Sequence, residues 1–247
     1  MGEAKKKNAK WKRQRGLTRP LCPVRFNLLG IGTRLSPVAL FSEEVSYWSD
    51  DNEQLLGVVV FDKTDADFGW VMLAKDRIGR FRCVDLRTDL RSAEHASRGV
   101  RERIADAIEQ NELPKLGDQG DESNYPTDLL AVAGGADPEK LHPHFKMLME
   151  TEGREPARQV FRAIGPWLAP SDPHFVKEFQ FGQFDQRMWE LYLWASFREM
   201  GFDVTQPEAP DFLCSRPGLT FTAEATTVTA SKSGPLAEHP NPKTDRK

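Results

Sequence analysis

Asp211 and Glu224 are the residues whose types and spacing best suit chemistry in this sequence. The first stands in Pro210-Asp211-Phe212-Leu213-Cys214, and the second follows the run Leu219-Thr220-Phe221-Thr222-Ala223. Between them, Ser215-Arg216-Pro217-Gly218 contains Pro-Gly, the favoured central pair of a type II turn. If Arg216 and Leu219 close that turn, Asp211 stands directly opposite Glu224. A loop wider by an even number of residues makes the two diagonal neighbours on one face, whereas an odd-numbered loop puts them on opposite faces. Directly opposed positions are about 4.5–5.5 Å apart at Cβ, near enough for both side chains to offer oxygens to one hard cation such as Mg2+. A third carboxylate, Glu190, lies within residues 186–200, a continuous run of helical preference that ends at Gly201. Its i+3, i+4 and i+7 neighbours are Leu193, Trp194 and Phe197, so it should face a core or a cleft, a costly place for a charge without a partner. Arg187, one turn earlier, offers a purely structural ion pair. Joining the strand carboxylates is the alternative.

A helical Glu, a short strand at Phe202-Asp203-Val204, Pro-Asp-Phe opening a second strand, and a third hydrophobic strand leading into Glu-Ala-Thr together resemble the PD-(D/E)xK phosphodiesterases, the restriction-endonuclease-like superfamily. The resemblance covers about a fifth of the chain. It implies that Asp211 and Glu224 bind Mg2+, that Glu190 completes the acidic site, and that the metal activates a water for in-line attack on a phosphodiester. Where the family usually carries Lys two residues after the strand Glu, this sequence has Thr226, whose hydroxyl can orient a water but supplies no positive charge. Lys232 lies six residues beyond Thr226. The family core also continues with a helix and a strand, where this sequence runs into a polar tail, so either a fragment of a longer protein or an incomplete, inactive domain is expected. The implied catalytic set is Glu190, Asp211, Glu224 and Thr226, the first three as metal ligands. The implied function is a metal-dependent, nuclease-like phosphodiesterase acting on nucleic acid. Its rivals are a non-catalytic nucleic-acid-binding or protein-interaction module that retains an incomplete nuclease-like shell, and a plain hairpin with solvent-facing or ion-paired carboxylates.

These residues need a scaffold, and the sequence predicts an α/β chain, α+β overall. The apolar runs at 55–61, 69–74 and 81–86, separated by Asp- and Gly-containing clusters, predict an antiparallel meander. From Ser92 to Gln110, Ala93, Ala96, Val100, Ile104, Ala107 and Ile108 recur at helical spacing and should cover one sheet face. A small module at 26–112 is therefore expected, then a Pro- and Gly-rich linker at 113–126. A helical segment at 127–182 follows, with Thr127 and Asp137 as caps and a helix over 155–168. The restriction-endonuclease-like segment occupies 183–230. A basic disordered tail at 1–25 and a polar tail at 231–247 flank the whole.

Composition bounds the rest. Hydrophobic residues make up 39% of 247 positions, with 15 Phe and 6 Trp, which excludes a disordered or fibrous chain. No run is long and apolar enough for a bilayer span and the N-terminal Lys cluster lacks an apolar follow-on, so no membrane association and a cytoplasmic location are expected. Three scattered cysteines, Cys22, Cys83 and Cys214, fit neither a disulfide framework nor a four-ligand zinc site. Nine Lys or Arg stand against Glu3 in residues 1–25, whereas the whole chain carries a net charge of -3. The arm can thus neutralise phosphates, which makes nucleic acid the expected partner, with a solvated tail as the plainer reading. His142-Pro143-His144 reads as surface or capping histidines, Leu29-Gly30-Ile31-Gly32-Thr33 as a turn without the residues that grip phosphate, and Asp62, Asp65 and Asp67 as a loop without calcium-site spacing. Trp189, Tyr192, Trp194 and Phe197, dense around one helix, read as core rather than as a base-stacking platform.

Overall fold

The run Leu55-Leu56-Gly57-Val58-Val59-Val60 lacks polar alternation because both of its faces are covered. In the computed structural model, which describes residues 11, 14–34, 40–134, 136–168 and 172–228, this run is β3 (Leu55–Asp62). It is the middle strand of an antiparallel sheet in sequence order with β1 (Arg19–Pro20), β2 (Ser42–Ser49), β4 (Asp67–Lys75) and β5 (Phe81–Leu90). One face is closed by α2 (Ala93–Glu109), capped where the His95 amide donates to Ser92 Oγ at 3.2 Å. Its Ala96, Val100, Ile104 and Ala107 pack on Leu55, Val59, Trp70 and Met72. Gly57 permits this approach, since a Cβ there would stand 2.5 Å from Val100 Cγ2. The other face carries Leu56, Val58, Leu73 and Phe81, covered by Leu21 and by Phe26 of α1 (Pro23–Leu29).

Residues 14–25 therefore do not form a disordered tail. They fold because the second face of β3 and β4 needs Leu21 and Phe26 over it. Gln14 is buried and its amide donates to Asp106 at 2.6 Å, β1 pairs with β2 through Arg19 and Ser49, and the Arg98 and Arg101 guanidiniums lie over the Trp11 ring. Arg19 and Arg25 both bond the Glu53 carboxylate, so two of the cations expected of a basic arm are already engaged and share one negative charge. The remainder of that arm, and the polar tail at 231–247, lie outside the described residues.

A second core is built from α4 (Pro143–Glu150), α5 (Glu155–Ile164), α6 (Phe175–Phe181) and α7 (Phe184–Glu199), closed by a three-stranded antiparallel sheet of β6 (Asp203–Thr205), β7 (Phe212–Arg216) and β8 (Leu219–Ala223). Phe179, fully buried, touches the rings of Phe145, Phe161 and Phe184. Helices here are shorter than expected. Pro143 lacks an amide proton and forces a new start, so the segment after Asp137 splits into a 3-10 turn at Pro138–Lys140 and α4. The capped turn expected from Thr127 through Val132 does not form; Asp128 instead accepts the amides of Leu130 and Ala131.

The linker between the cores is tethered. After the short α3 (Leu113–Leu116), Asp121 accepts from Arg80 at 2.9 Å and from Arg82 at 3.0 Å, while the Gln119 amide donates to the Cys83 carbonyl. The turn after α1 joins the cores directly. Ile31 belongs to the second cluster, Gly32 lies so close under Trp167 that a Cβ would sit 2.2 Å from the indole, and Arg198 Nη2 donates to the Gly32 carbonyl at 2.6 Å. The glycines of that turn thus serve packing. No helix among the described residues is long and apolar enough to cross a membrane.

Candidate functional site

The Pro217-Gly218 turn is the two-residue connection that its sequence suggests, with Gly218 at φ 79°, a conformation that L side chains resist. It pairs Arg216 with Leu219 and, at the far end, Phe212 with Ala223. Asp211 and Glu224 are the next pair outward, one residue beyond the ladder on each strand. The Ala225 amide donates to Asp211 Oδ2 at 2.6 Å, which pins the first carboxylate across the mouth of the hairpin. Partial loss of hydration pushes the Glu224 carboxyl above its ordinary range, and the charge of Asp211 and a hydrogen bond to it add in the same direction. The two acids are thus side by side.

Helix α7 fixes the back of this mouth. Leu191 and Trp194 are buried in the same cluster as Phe212 and Cys214, and Phe197 meets Phe212 and Phe221 edge-on at 5.8 and 5.4 Å. Glu190 faces inward and is only 6% exposed. Its charge is matched, since Arg187 Nη1 donates to Oε2 at 2.9 Å and Gln186 Nε2 to Oε1 at 3.1 Å. Arg187 also bonds Asp172 and Glu178 and lies over the Phe175 ring. The geometry therefore brings Asp211 and Glu224 together and holds Glu190 apart in an arginine-centred cluster. Among the described residues, no group of three or more His, Cys, Asp or Glu converges to hold a metal. Thr226 is exposed, and Lys232 lies outside the described residues.

Gln186 is the residue that the sequence reading missed. Its amide nitrogen also donates to the Ala225 carbonyl at 2.8 Å, and its oxygen accepts from Thr227 Oγ1 at 2.6 Å. Ala225 is held from both sides, by Asp211 through its N–H and by Gln186 through its C=O. The available signal was spacing, as Gln186 stands one turn before Glu190 on the same helix face.

The donor chemistry of the pair suits a hard divalent cation: two carboxylates supply charged oxygens, and a small ion such as Mg2+ commonly takes its other positions from water and phosphate oxygens. The other candidate motifs have structural uses. His142 Nδ1 accepts the His144 amide at 3.2 Å, and His144 Nδ1 lies 2.9 Å from Asp185. Asp62 accepts the Thr64 amide in the turn after β3. Trp194 is buried and Phe197 half-buried, as core residues should be, whereas Trp189 and Tyr192 are exposed. No protein-family model, curated protein or solved structure matches the chain.

Proposed function

We propose that the chain is a nuclease-like phosphodiesterase that acts on nucleic acid through a divalent metal held by Asp211 and Glu224. The observation that carries this reading is the adjacency of the two carboxylates at the open end of the β7–β8 hairpin. Like charges repel there in the absence of a cation. When bound, the metal would polarise a phosphoryl oxygen and activate a water. Asp211 is preset for its part by the Ala225 amide, and Glu224 is exposed to an incoming ligand. Glu190 acts from behind by way of Gln186, which holds the backbone that leaves β8. Thr226 offers a hydroxyl close by in sequence, where it can orient a water without adding charge.

Mg2+ titration calorimetry on the protein, paired with cleavage of a fluorescent oligonucleotide, tests the proposal. Saturable Mg2+ binding is expected in the parent and not in Asp211→Asn or Glu224→Gln, with cleavage reduced by about 10²-fold or more in both variants. Equal cleavage in excess chelator, or full activity in Asp211→Asn, would overturn it. A second reading, a non-catalytic nucleic-acid-binding shell, is favoured by the complete engagement of Glu190 with Arg187 and by Thr226 in the lysine place. It expects no cleavage with Mg2+ or Mn2+ and unchanged binding in both variants.

A further inference from the structure

Residues of α5 and α7 line a groove of about 550 Å3 with an almost wholly apolar wall. Val160 and Ile164 form the α5 side, Met188, Trp189 and Tyr192 the α7 side, and Thr227 stands on the rim. Tyr192 is 60% exposed and Trp189 38%, yet their rings are stacked with centroids 5.4 Å apart and planes only 13° from parallel. Two large aromatic rings held flat and wet on a helix do not serve the core, which on this helix is filled by Leu191 and Trp194.

We infer that this groove receives an unpaired nucleobase of a single-stranded nucleic acid, stacked against the Trp189–Tyr192 pair, an inference that rests on the phosphodiesterase reading above. The ring pair supplies a flat π face, which any base can match irrespective of its hydrogen-bonding edge. Location links it to the carboxylates. Thr227 is three residues beyond Glu224 and so stands within about 11 Å of it along the chain. Its hydroxyl bonds Gln186, which in turn holds Ala225, the residue whose amide fixes Asp211. A base in the groove and a phosphate at the carboxylate pair therefore belong to one short stretch of strand. Asp185, the acidic member of the wall, has His144 Nδ1 at 2.9 Å. A base inside a duplex has both faces covered by its neighbours, and only a single strand or a flipped nucleotide can present one.

The test measures binding of a labelled 15-nucleotide single strand, as DNA and as RNA, against an abasic strand of equal length, all in chelator so that no cleavage intervenes. At least one base-bearing strand should bind about tenfold or more tightly than the abasic one and should quench tryptophan fluorescence. Tyr192→Ala, exposed enough to leave folding intact by circular dichroism, should erase the difference, and Tyr192→Phe should retain it. A cleavage assay of the parent with Mg2+ separates the two proposals: a base preference in a parent that does not cleave keeps this site and removes the other. Cleavage with no base preference does the reverse. Equal binding of abasic and base-bearing strands, no binding at all, an unchanged preference in Tyr192→Ala, or a concentration-dependent dimer abolished by Tyr192→Ala, which would seat a second copy in the groove, each overturns the inference.

Discussion

The first sheet meets Asp50, Glu53 and Asp76 with amides or guanidiniums, whereas the second region meets Glu190 in that way and sets Glu224 against another acid. Around β3, the Asp50 carboxylate accepts the amides of Asn52, Gln54 and Leu55, Glu53 bonds Arg19 and Arg25, and Asp76 bonds Arg80. Each of these charges closes a turn or offsets a cation. In the second region Glu190 follows the same rule with Arg187, but Asp211 and Glu224 face each other at the end of a hairpin. Asp211 also accepts the Ala225 amide, so Glu224 is the member of the pair that meets another acid, as Asp67 meets Asp89, Asp62 and Asp65 in the first region.

Removing the partner of a structural acid should do the most damage. Arg187→Met leaves Glu190, Glu178 and Asp172 without their shared cation, Glu190 among them buried, and a loss of about 3–5 kcal/mol is expected in denaturant unfolding. A loss below about 1 kcal/mol would place Glu190 in the same class as the hairpin pair. In the first region, Asp50→Ala strips the acceptor from three amides and should cost about 1–3 kcal/mol, read as a lower urea midpoint at unchanged slope. The smallest effect is expected at the pair itself, and its sign is opposite. Because the Glu224 carboxyl is raised in the folded protein, the shared proton contributes stability below the ordinary carboxylate range, and this contribution is lost as pH rises through the raised midpoint. Asp211→Asn should bring that midpoint down, seen in carboxyl NMR titrations. The thermal midpoint of the variant relative to the parent should climb as pH rises from 4 to 8. A relative midpoint that falls would assign the pair a structural role.

Local chemistry made part of this legible. The Pro-Gly turn set the hairpin register, the apolar runs became β3, β4 and β5, and Ser92 capped the helix that covers them. The pairing of Arg187 with Glu190 was also readable from spacing alone. What escaped depends on distant partners. Residues 14–25 look like a basic tail until Leu21 and Phe26 have a sheet face to cover. Helix α6 carries few local signals, and Phe175 and Phe179 hold it by burial among residues far along the chain. Gln186 is polar on a helix of strong preference, and its use appears only once residues 225–227 pass beside it. The split among the four aromatics of α7 has the same origin, because which side of the helix stays wet is decided by where α5 and the hairpin pack.

The turn after α1 also sets a timetable for synthesis. Gly32 is bonded by Arg198, 166 residues later in the chain. At about 5–20 residues per second, a ribosome needs on the order of ten to thirty seconds to make the second partner after the first has emerged. During that interval the five-stranded sheet and α2 can assemble from neighbours within the first 110 residues, while Ile31 and Gly32 wait without Trp167 or Arg198 to cover them. The joint between the two cores therefore closes well after the first sheet on a nascent chain, and the β7–β8 hairpin is made later still. A stall after residue 110 and before residue 167 would leave the first sheet complete with a small apolar corner showing, a feature that a chaperone or a protease can read.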